Sequence, residues 1–171
     1  DHYKKLIKER ENRKPIAYRL NKKFFLDSEL YVDKNTLIPR PDTEIIIEEI
    51  VRLTKYKNKI HILDIGVGSG CILLTILKEK KNFYGTGVDI SKKSLDISKI
   101  NGKNLNVDRR VKFYKSDIDK FTKGKYALIL SNPPYLTSCA LTYLESYVIH
   151  FDPKLALACV LDCLFEFITV I

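Results

Sequence analysis

Two short stretches of the chain carry residue types that an ordinary turn does not require. The first is Ser131-Asn132-Pro133-Pro134-Tyr135. A residue before proline is pushed to extended backbone, and neither proline has an N–H. The stretch therefore presents carbonyl acceptors and an amide side chain. The Asn132 side-chain oxygen and the Pro133 carbonyl suit the two hydrogens of a planar NH2 group. Tyr135 supplies an aromatic face for a flat group or a cation. Hydrogen bonds to both N–H atoms raise the electron density on such a nitrogen and orient it, so that transfer to it needs no strong base. Positioning of this kind contributes up to about 7–11 kcal/mol in well-oriented cases. The second stretch is Asp64-Ile65-Gly66-Val67-Gly68-Ser69-Gly70. Glycines between a strand and a helix let a ligand approach bare backbone, and an acidic residue at the head suits a ligand ammonium, directly or through water. The spacing departs from the Gly-x-Gly-x-x-Gly run that cradles a dinucleotide pyrophosphate. Taken alone, such a loop is equally a tight strand-to-helix turn.

Two further carboxylates stand where the same ligand would continue. Asp89, in Gly87-Val88-Asp89-Ile90-Ser91, ends the next apolar run and is placed to accept both hydroxyls of a ribose. Capping the following helix is its other role, one that Ser91 also fills. Asp117, in Ser116-Asp117-Ile118, suits an adenine amino group or a helix cap. Three acidic residues at three successive strand ends reinforce one another. They point to a cofactor that joins a nucleoside to an amino acid.

These positions require a particular scaffold. Strands are expected over 60–65, 82–88, 111–114 and 126–130, with helices over 69–80 and from Ser91 to about Leu105. Strands alternating with helices mean right-handed βαβ units and a parallel sheet covered on both faces, an α/β, doubly wound, Rossmann-like architecture. Upstream, residues 1–13 read as the end of a helix. A hairpin is expected with arms 24–26 and 30–32 around Asp27-Ser28-Glu29. Asp42 or Thr43 is placed to cap a helix whose apolar positions are Ile46, Ile47, Ile50 and Val51. After Leu130 come a loop, a short helix around 141–147, and an apolar segment opened by Asp152-Pro153.

Composition bounds the class. The chain has 171 residues, 45% of them apolar, enough for one α/β domain without staples. Its formal charge of +9 admits an anionic partner such as RNA or the ribosome, although the lysines form no block and biased coding produces the same excess. The four cysteines make no CxxC pair and have no His at ligand spacing, so no metal site is expected. No apolar run is long enough for a membrane span, and no signal segment opens the chain. The protein is expected to be soluble, cytoplasmic and monomeric. The absence of Met anywhere is expected either from an N-terminus other than the natural one or from processing.

With Leu37-Ile38-Pro39-Arg40-Pro41-Asp42-Thr43-Glu44 added, the motif order resembles that of the peptide chain release factor glutamine methyltransferases, which are class I S-adenosylmethionine-dependent enzymes. The resemblance runs from about Arg13 to Leu164. The loops at 64–70 and 132–135 are shared with many amino-methylating enzymes, including adenine and guanine methylases. The segment 37–44, Pro15-Ile16-Ala17-Tyr18 and Asp152-Pro153-Lys154-Leu155-Ala156-Leu157 are the narrower markers. The resemblance implies methyl transfer from S-adenosylmethionine to the glutamine side-chain nitrogen of the Gly-Gly-Gln loop of a release factor, a protein of translation termination. It implies that Asn132 and the Pro133 carbonyl hold the substrate amide, with Pro134 in the same loop and Tyr135 beside it. Gly66, Gly68 and Gly70 shape the cofactor loop with Asp64 nearby. Asp89 takes the ribose and Asp117 the adenine. Arg40 and Glu44 organise the substrate-side segment over the site, a structural salt bridge being the alternative.

The resemblance also sets expectations of extent. Residues 1–36 hold the end of a helical N-terminal domain and a linker hairpin, and 37–171 a methyltransferase domain, both ends truncated. The sheet is expected to stop after its fourth strand and leave that edge open. Asp152-Pro153 stands where the family has Glu-Pro, and Asp162-Cys163-Leu164 where it has Asp-Gly-Leu. Two other readings stand beside this one. An adenine-directed DNA or RNA methyltransferase applies the same Asn-Pro-Pro-Tyr logic to a flipped base. The other is an inactive remnant of the glutamine enzyme.

Overall fold

The computed structural model describes residues 2–132 and 168–170. The chain opens with helices α1 (His2–Glu11) and α2 (Ile16–Leu20), then a hairpin of β1 (Lys22–Phe25) and β2 (Ser28–Tyr31), then α3 (Asp42–Leu53). The alternating part follows as β3 (His61–Ile65), α4 (Cys71–Glu79), β4 (Tyr84–Asp89), α5 (Lys92–Asn104), β5 (Val111–Lys115) and β6 (Leu128–Ser131), with β7 (Ile168–Val170) last. The five-stranded sheet runs in the order β5-β4-β3-β6-β7. The first four strands pair in parallel. The order reverses beside β3, because the chain winds outward to β5 and then returns to β6. That reversal opens a crevice at the carboxyl ends of the strands.

The apolar runs explain the core. Ile62, Leu73, Leu74, Ile76 and Leu77 are completely buried, with Leu128 and Leu130 at 1% exposure. Helix α4 is buried on all sides from Ile72 to Leu77, with Thr75 its one polar member there, because it lies between the sheet and its neighbours. Its C-terminus is closed by Arg110, whose guanidinium donates to the carbonyls of Lys80 and Phe83, each at 3.0 Å. A cation suits the negative end of a helix. At the start of α5 the Ser91 hydroxyl accepts from the Ser94 N–H at 3.3 Å.

Three local expectations are corrected. The hairpin arms lie earlier than 24–26 and 30–32, pairing Phe25 with Ser28 across a two-residue turn. Leu26 takes φ +48° there, as a turn of this length requires at its first position. This register buries Phe25 and Leu30 and leaves Phe24 outside. Neither Asp42 nor Thr43 caps α3. Pro41, with φ preset at −57°, occupies the cap position, Asp42 is the first helical residue, and Thr43 is buried. The edge of β6 is not open, because β7 pairs with it antiparallel, Leu128 opposite Val170 and Leu130 opposite Ile168. Helix α2 and the 3-10 turns at 108–110 and 118–120 were not anticipated by the sequence pattern. The expected helix around 141–147 and the segment from Asp152 to 167 lie outside the described residues.

Candidate functional site

A cavity of about 580 Å3 opens at the carboxyl ends of β3, β4, β5 and β6. This lies in the range of small-molecule sites. Asp64, Gly66, Gly68, Asp89, Asp117, Asn132 and Arg40, all singled out in the sequence, line it together. Parallel pairing is the reason. Asp64 lies level with Gly87 and Leu130 in the register, so the ends of these strands meet at one level. Pro133, Pro134 and Tyr135 lie outside the described residues.

Two singled-out residues do not line the cavity. Gly70 stands behind the loop at the start of α4 with φ +81°, and a Cβ there would meet Leu74 Cδ1 at 2.6 Å. Its missing side chain serves the packing of helix against loop. Glu44 points to the hairpin turn, where its Oε1 accepts the Leu26 N–H at 3.2 Å. It steadies the unusual backbone of that turn and lies away from the cavity.

Four backbone donors of the glycine loop are already engaged. The Gly66 and Val67 N–H groups both donate to the Val88 carbonyl, at 2.8 and 3.1 Å, and Gly70 N–H to the Val67 carbonyl at 2.8 Å. The Gly68 N–H donates to Asp89 Oδ2 at 3.0 Å. A phosphate cradle needs a row of free N–H groups aimed at the ligand, and these four are taken by protein acceptors. The loop instead presents smooth backbone beside carboxylates, which suits a cationic or hydroxyl-bearing ligand.

Those carboxylates differ in environment. Asp64 is only 2% exposed, and burial pushes its carboxyl up to about 7, with the Leu73 backbone N–H pulling it down in part and the nearby Asp89 charge adding to the rise. A buried carboxylate with so raised a pKa is under-compensated, and a cation arriving in the cavity stabilises its ionised form. Asp89 is half-buried and held at both oxygens, by the Gly68 N–H and by the Ser91 N–H at 2.8 Å, so its remaining lone pairs are fixed in direction. Asp117 is exposed and stands at the cap of the turn 118–120, accepting the Asp119 N–H at 3.4 Å. It lines the cavity while serving that local role. The Cys71 thiol on the same wall is pushed up to about 12 by burial and is a neutral, inert group there. Among the described residues no group of three or more His, Cys, Asp or Glu side chains is arranged to hold a metal ion.

Several contributors escaped the sequence reading. Ile90 and Ile118, each following an acidic residue, are 57% and 41% exposed and line the cavity, giving it apolar walls for a flat ring. Behind the loop, α5 presents Ser94, Ser98 and Asn101 along one face. The Ser98 hydroxyl donates to the Gly68 carbonyl at 2.7 Å, and the Asn101 amide to the Ser69 carbonyl at 2.9 Å. Ser94 donates to the Asn35 carbonyl at 3.0 Å, fixing the linker 34–40, which forms another cavity wall. The signal was present as buried polar residues at i, i+4 and i+7 on a helix.

Similarity to known proteins agrees with this geometry. The family model described as Methyltransferase small domain matches residues 42–146. A release factor glutamine methyltransferase of Caulobacter vibrioides is 35% identical over 155 residues, which cover 88% of this chain and 53% of that protein. One of Buchnera aphidicola subsp. Schizaphis graminum is 42% identical over 139 residues, covering 80% of this chain and 50% of that protein. A bifunctional methyltransferase of Rickettsia prowazekii is 32% identical over 174 residues, covering 91% of this chain and 34% of its own length. The chain thus spans about half the length of the two release factor enzymes.

Proposed function

Since the chain belongs to the methyltransferase small domain family, we propose that it transfers a methyl group from S-adenosylmethionine to the side-chain amide nitrogen of the glutamine in the Gly-Gly-Gln loop of a peptide chain release factor. The observation that supports this most directly is the convergence of Asn132 with Asp64 and Asp89 on one cavity, at the end of the strand next to the glycine loop. A donor site and an acceptor site for an NH2 group thereby share one space.

The residues divide the work by chemistry. The Asp64 carboxylate attracts the ammonium of the amino-acid part, and the glycine loop leaves room for it. Asp89, held by two backbone N–H groups, accepts ribose hydroxyls. Ile90 and Ile118 cover an adenine ring, with Asp117 beside it for the amino group. S-Adenosylmethionine, when bound, supplies a methyl group on a cationic sulfur. Asn132 accepts a hydrogen bond from the substrate NH2 and turns its lone pair toward the donor. Alignment lowers the barrier, and the proton is released after transfer. The Pro133 carbonyl and Tyr135 complete this grip in the reading carried over from the family. Arg40 lines the mouth on the substrate side. The substrate assignment rests on the names of the release factor relatives and on the segment 37–44.

The test is to incubate the chain with methyl-labelled S-adenosylmethionine and release factor, and separately with RNA and DNA. Label on the glutamine of the release factor is the expected result. Label on nucleic acid alone would favour an adenine-directed enzyme and overturn the proposal. No label on any of them, together with no stabilisation by S-adenosylhomocysteine, would mark the chain as inactive. A ligand at 100 times its dissociation constant adds about 2.7 kcal/mol of stability.

A further inference from the structure

Nine of the 30 lysines and arginines of this protein stand in the segments that enter the strands from one end of the sheet. All four parallel strands are entered from the end opposite the cavity, and the segments leading into them are basic. Lys55, Lys57 and Lys59 lead into β3, and all are exposed. Lys80 and Lys81 lead into β4, Arg109 and Arg110 into β5, and Lys123 and Lys125 into β6. In the stretches that run directly into the strands, 54–60, 80–83, 105–110 and 121–127, Asp108 is the only carboxylate; the connection into β6 also carries Asp117 and Asp119, nearer the end of β5. The last turns of the helices add Glu79 and Lys103, together with Lys78 and Arg52, which are paired with Asp27 and Glu49. The segments entering the strands thus carry nine cations against one carboxylate.

The surface is continuous. The Tyr84 N–H donates to the Ile60 carbonyl at 3.0 Å and the Ala127 N–H to the His61 carbonyl at 2.9 Å. Arg110 joins the segments before β4 and β5 through the Lys80 and Phe83 carbonyls. Neighbouring strands lie about 4.8 Å apart, so the four entries span about 15 Å. Two aromatic rings are interleaved with the lysines. Tyr56 is 89% exposed, with Lys55 Nζ 5.6 Å from its ring centre, and Tyr84 is 41% exposed, with Lys59 Nζ at 5.1 Å.

We propose that this end of the sheet binds a single strand of nucleic acid, its phosphates along the row of lysines and its bases stacked on Tyr56 and Tyr84. Like charges placed together with a single carboxylate among them repel one another, and a polyanion relieves that repulsion while releasing its own counterions. Charge repeated at every strand entry matches a linear polyanion, and exposed rings between the charges match bases in particular. Lipid headgroups require only the charges. The surface lies at the opposite end of the strands from the cavity, so the inference stands independently of the methyl-transfer reading.

The experiment is fluorescence anisotropy with a labelled single-stranded RNA of mixed sequence and about 16 nucleotides, the upper end of the site sizes of single-strand-binding folds, with no methyl donor present. Log affinity is expected to fall linearly with log salt. The triple variant Lys55→Gln, Lys57→Gln, Lys59→Gln is expected to weaken binding at least about tenfold at low salt. It should also reduce the slope by about 2, at roughly 0.7 per phosphate contact. Tyr56→Ala should weaken binding and leave the slope unchanged. Lys4→Gln, Lys8→Gln, Lys92→Gln, equally exposed positions elsewhere on α1 and α5, should change neither. All variants replace solvent-facing side chains, and an unchanged thermal midpoint confirms that the fold is intact. The proposal is overturned by absence of RNA binding in the unmodified chain, by an equal loss in the control variant, or by tighter binding to phosphatidylserine vesicles than to RNA.

Discussion

The side-chain amide of Asn101 donates to the Ser69 carbonyl at 2.9 Å, and with the same planar group it donates to the Tyr31 carbonyl at 3.0 Å and accepts the Tyr31 N–H at 2.7 Å. One completely buried residue on α5 thereby ties the glycine loop to the hairpin. Replacing it with alanine leaves three backbone groups unpaired in the interior, each worth about 1–3 kcal/mol. Asn101→Ala is therefore expected to lose about 3 kcal/mol or more in urea unfolding and to bind S-adenosylhomocysteine more weakly. An unchanged urea midpoint would mean that water replaces the amide at no cost.

The raised Asp64 carboxyl predicts a pH dependence with two opposite signs. Without ligand, Asp64 ionises near 7 in the folded chain and near its ordinary 3.8 in the unfolded one. The unfolded state therefore gives up its proton first, and the ligand-free protein loses the contribution of this group as pH rises from about 4 through about 7. A ligand ammonium favours the ionised form, so S-adenosylhomocysteine should bind more tightly across the same interval. A gain on the order of tenfold or more is expected between pH 5.5 and 8, since each pH unit below the pKa removes tenfold of the ionised form. Calorimetry in buffers of different ionisation enthalpy should detect proton release on binding near pH 6. A pH profile that Asp64→Asn reproduces would place the titration elsewhere.

Two glycines of one loop should respond differently to the same substitution. Gly66 and Gly70 both hold positive φ, +72° and +81°, which costs an alanine about 1–2 kcal/mol. At Gly66 no atom lies within 4 Å of an added Cβ, whereas at Gly70 it meets Leu74 Cδ1 at 2.6 Å. Gly70→Ala is expected to lower the thermal midpoint clearly more than Gly66→Ala. Gly66→Ala is expected to show its main effect as a smaller ligand-induced shift, because Gly66 lines the cavity and Gly70 does not. Equal midpoints would mean that Leu74 moves aside freely.

On the proposed function, in which Asn132 aligns the substrate NH2 by accepting its hydrogen bond, Asn132→Ala is expected to lower methyl transfer by at least about a hundredfold. S-Adenosylhomocysteine binding, read as a thermal shift, should persist. Loss of both together would give Asn132 a structural role at the end of β6.

The sheet was legible because each buried parallel strand is a short apolar run and each run ends at a chemically distinctive residue. Asp64, Asp89 and Asp117 could be assigned to one site once the strands were taken as parallel, and the structure places them on one cavity. The hairpin register was not legible. It depends on Leu26 taking a positive φ that its side chain disfavours, with Glu44 accepting its N–H from eighteen residues away. The pairing of Ile168–Val170 with β6 was equally hidden, because a three-residue strand has no periodicity of its own. Glu44 itself was placed over the site by its neighbours in sequence. Its helical position turns it to the hairpin instead.

By itself the sequence determined the inventory of chemistry, an amide beside carbonyl acceptors, a glycine loop and three carboxylates, together with the alternation that carries them. Those are local properties, decided by backbone sterics and apolar period. Only the tertiary structure decided which of them share a cavity, that four loop N–H groups are taken by protein acceptors, that Asn101 ties the loop to the hairpin, and that several lysines far apart in the chain meet at one end of the sheet. Each of these depends on strand order and register, which bring residues tens of positions apart to within hydrogen-bonding or Coulombic range, and no local pattern encodes that distance.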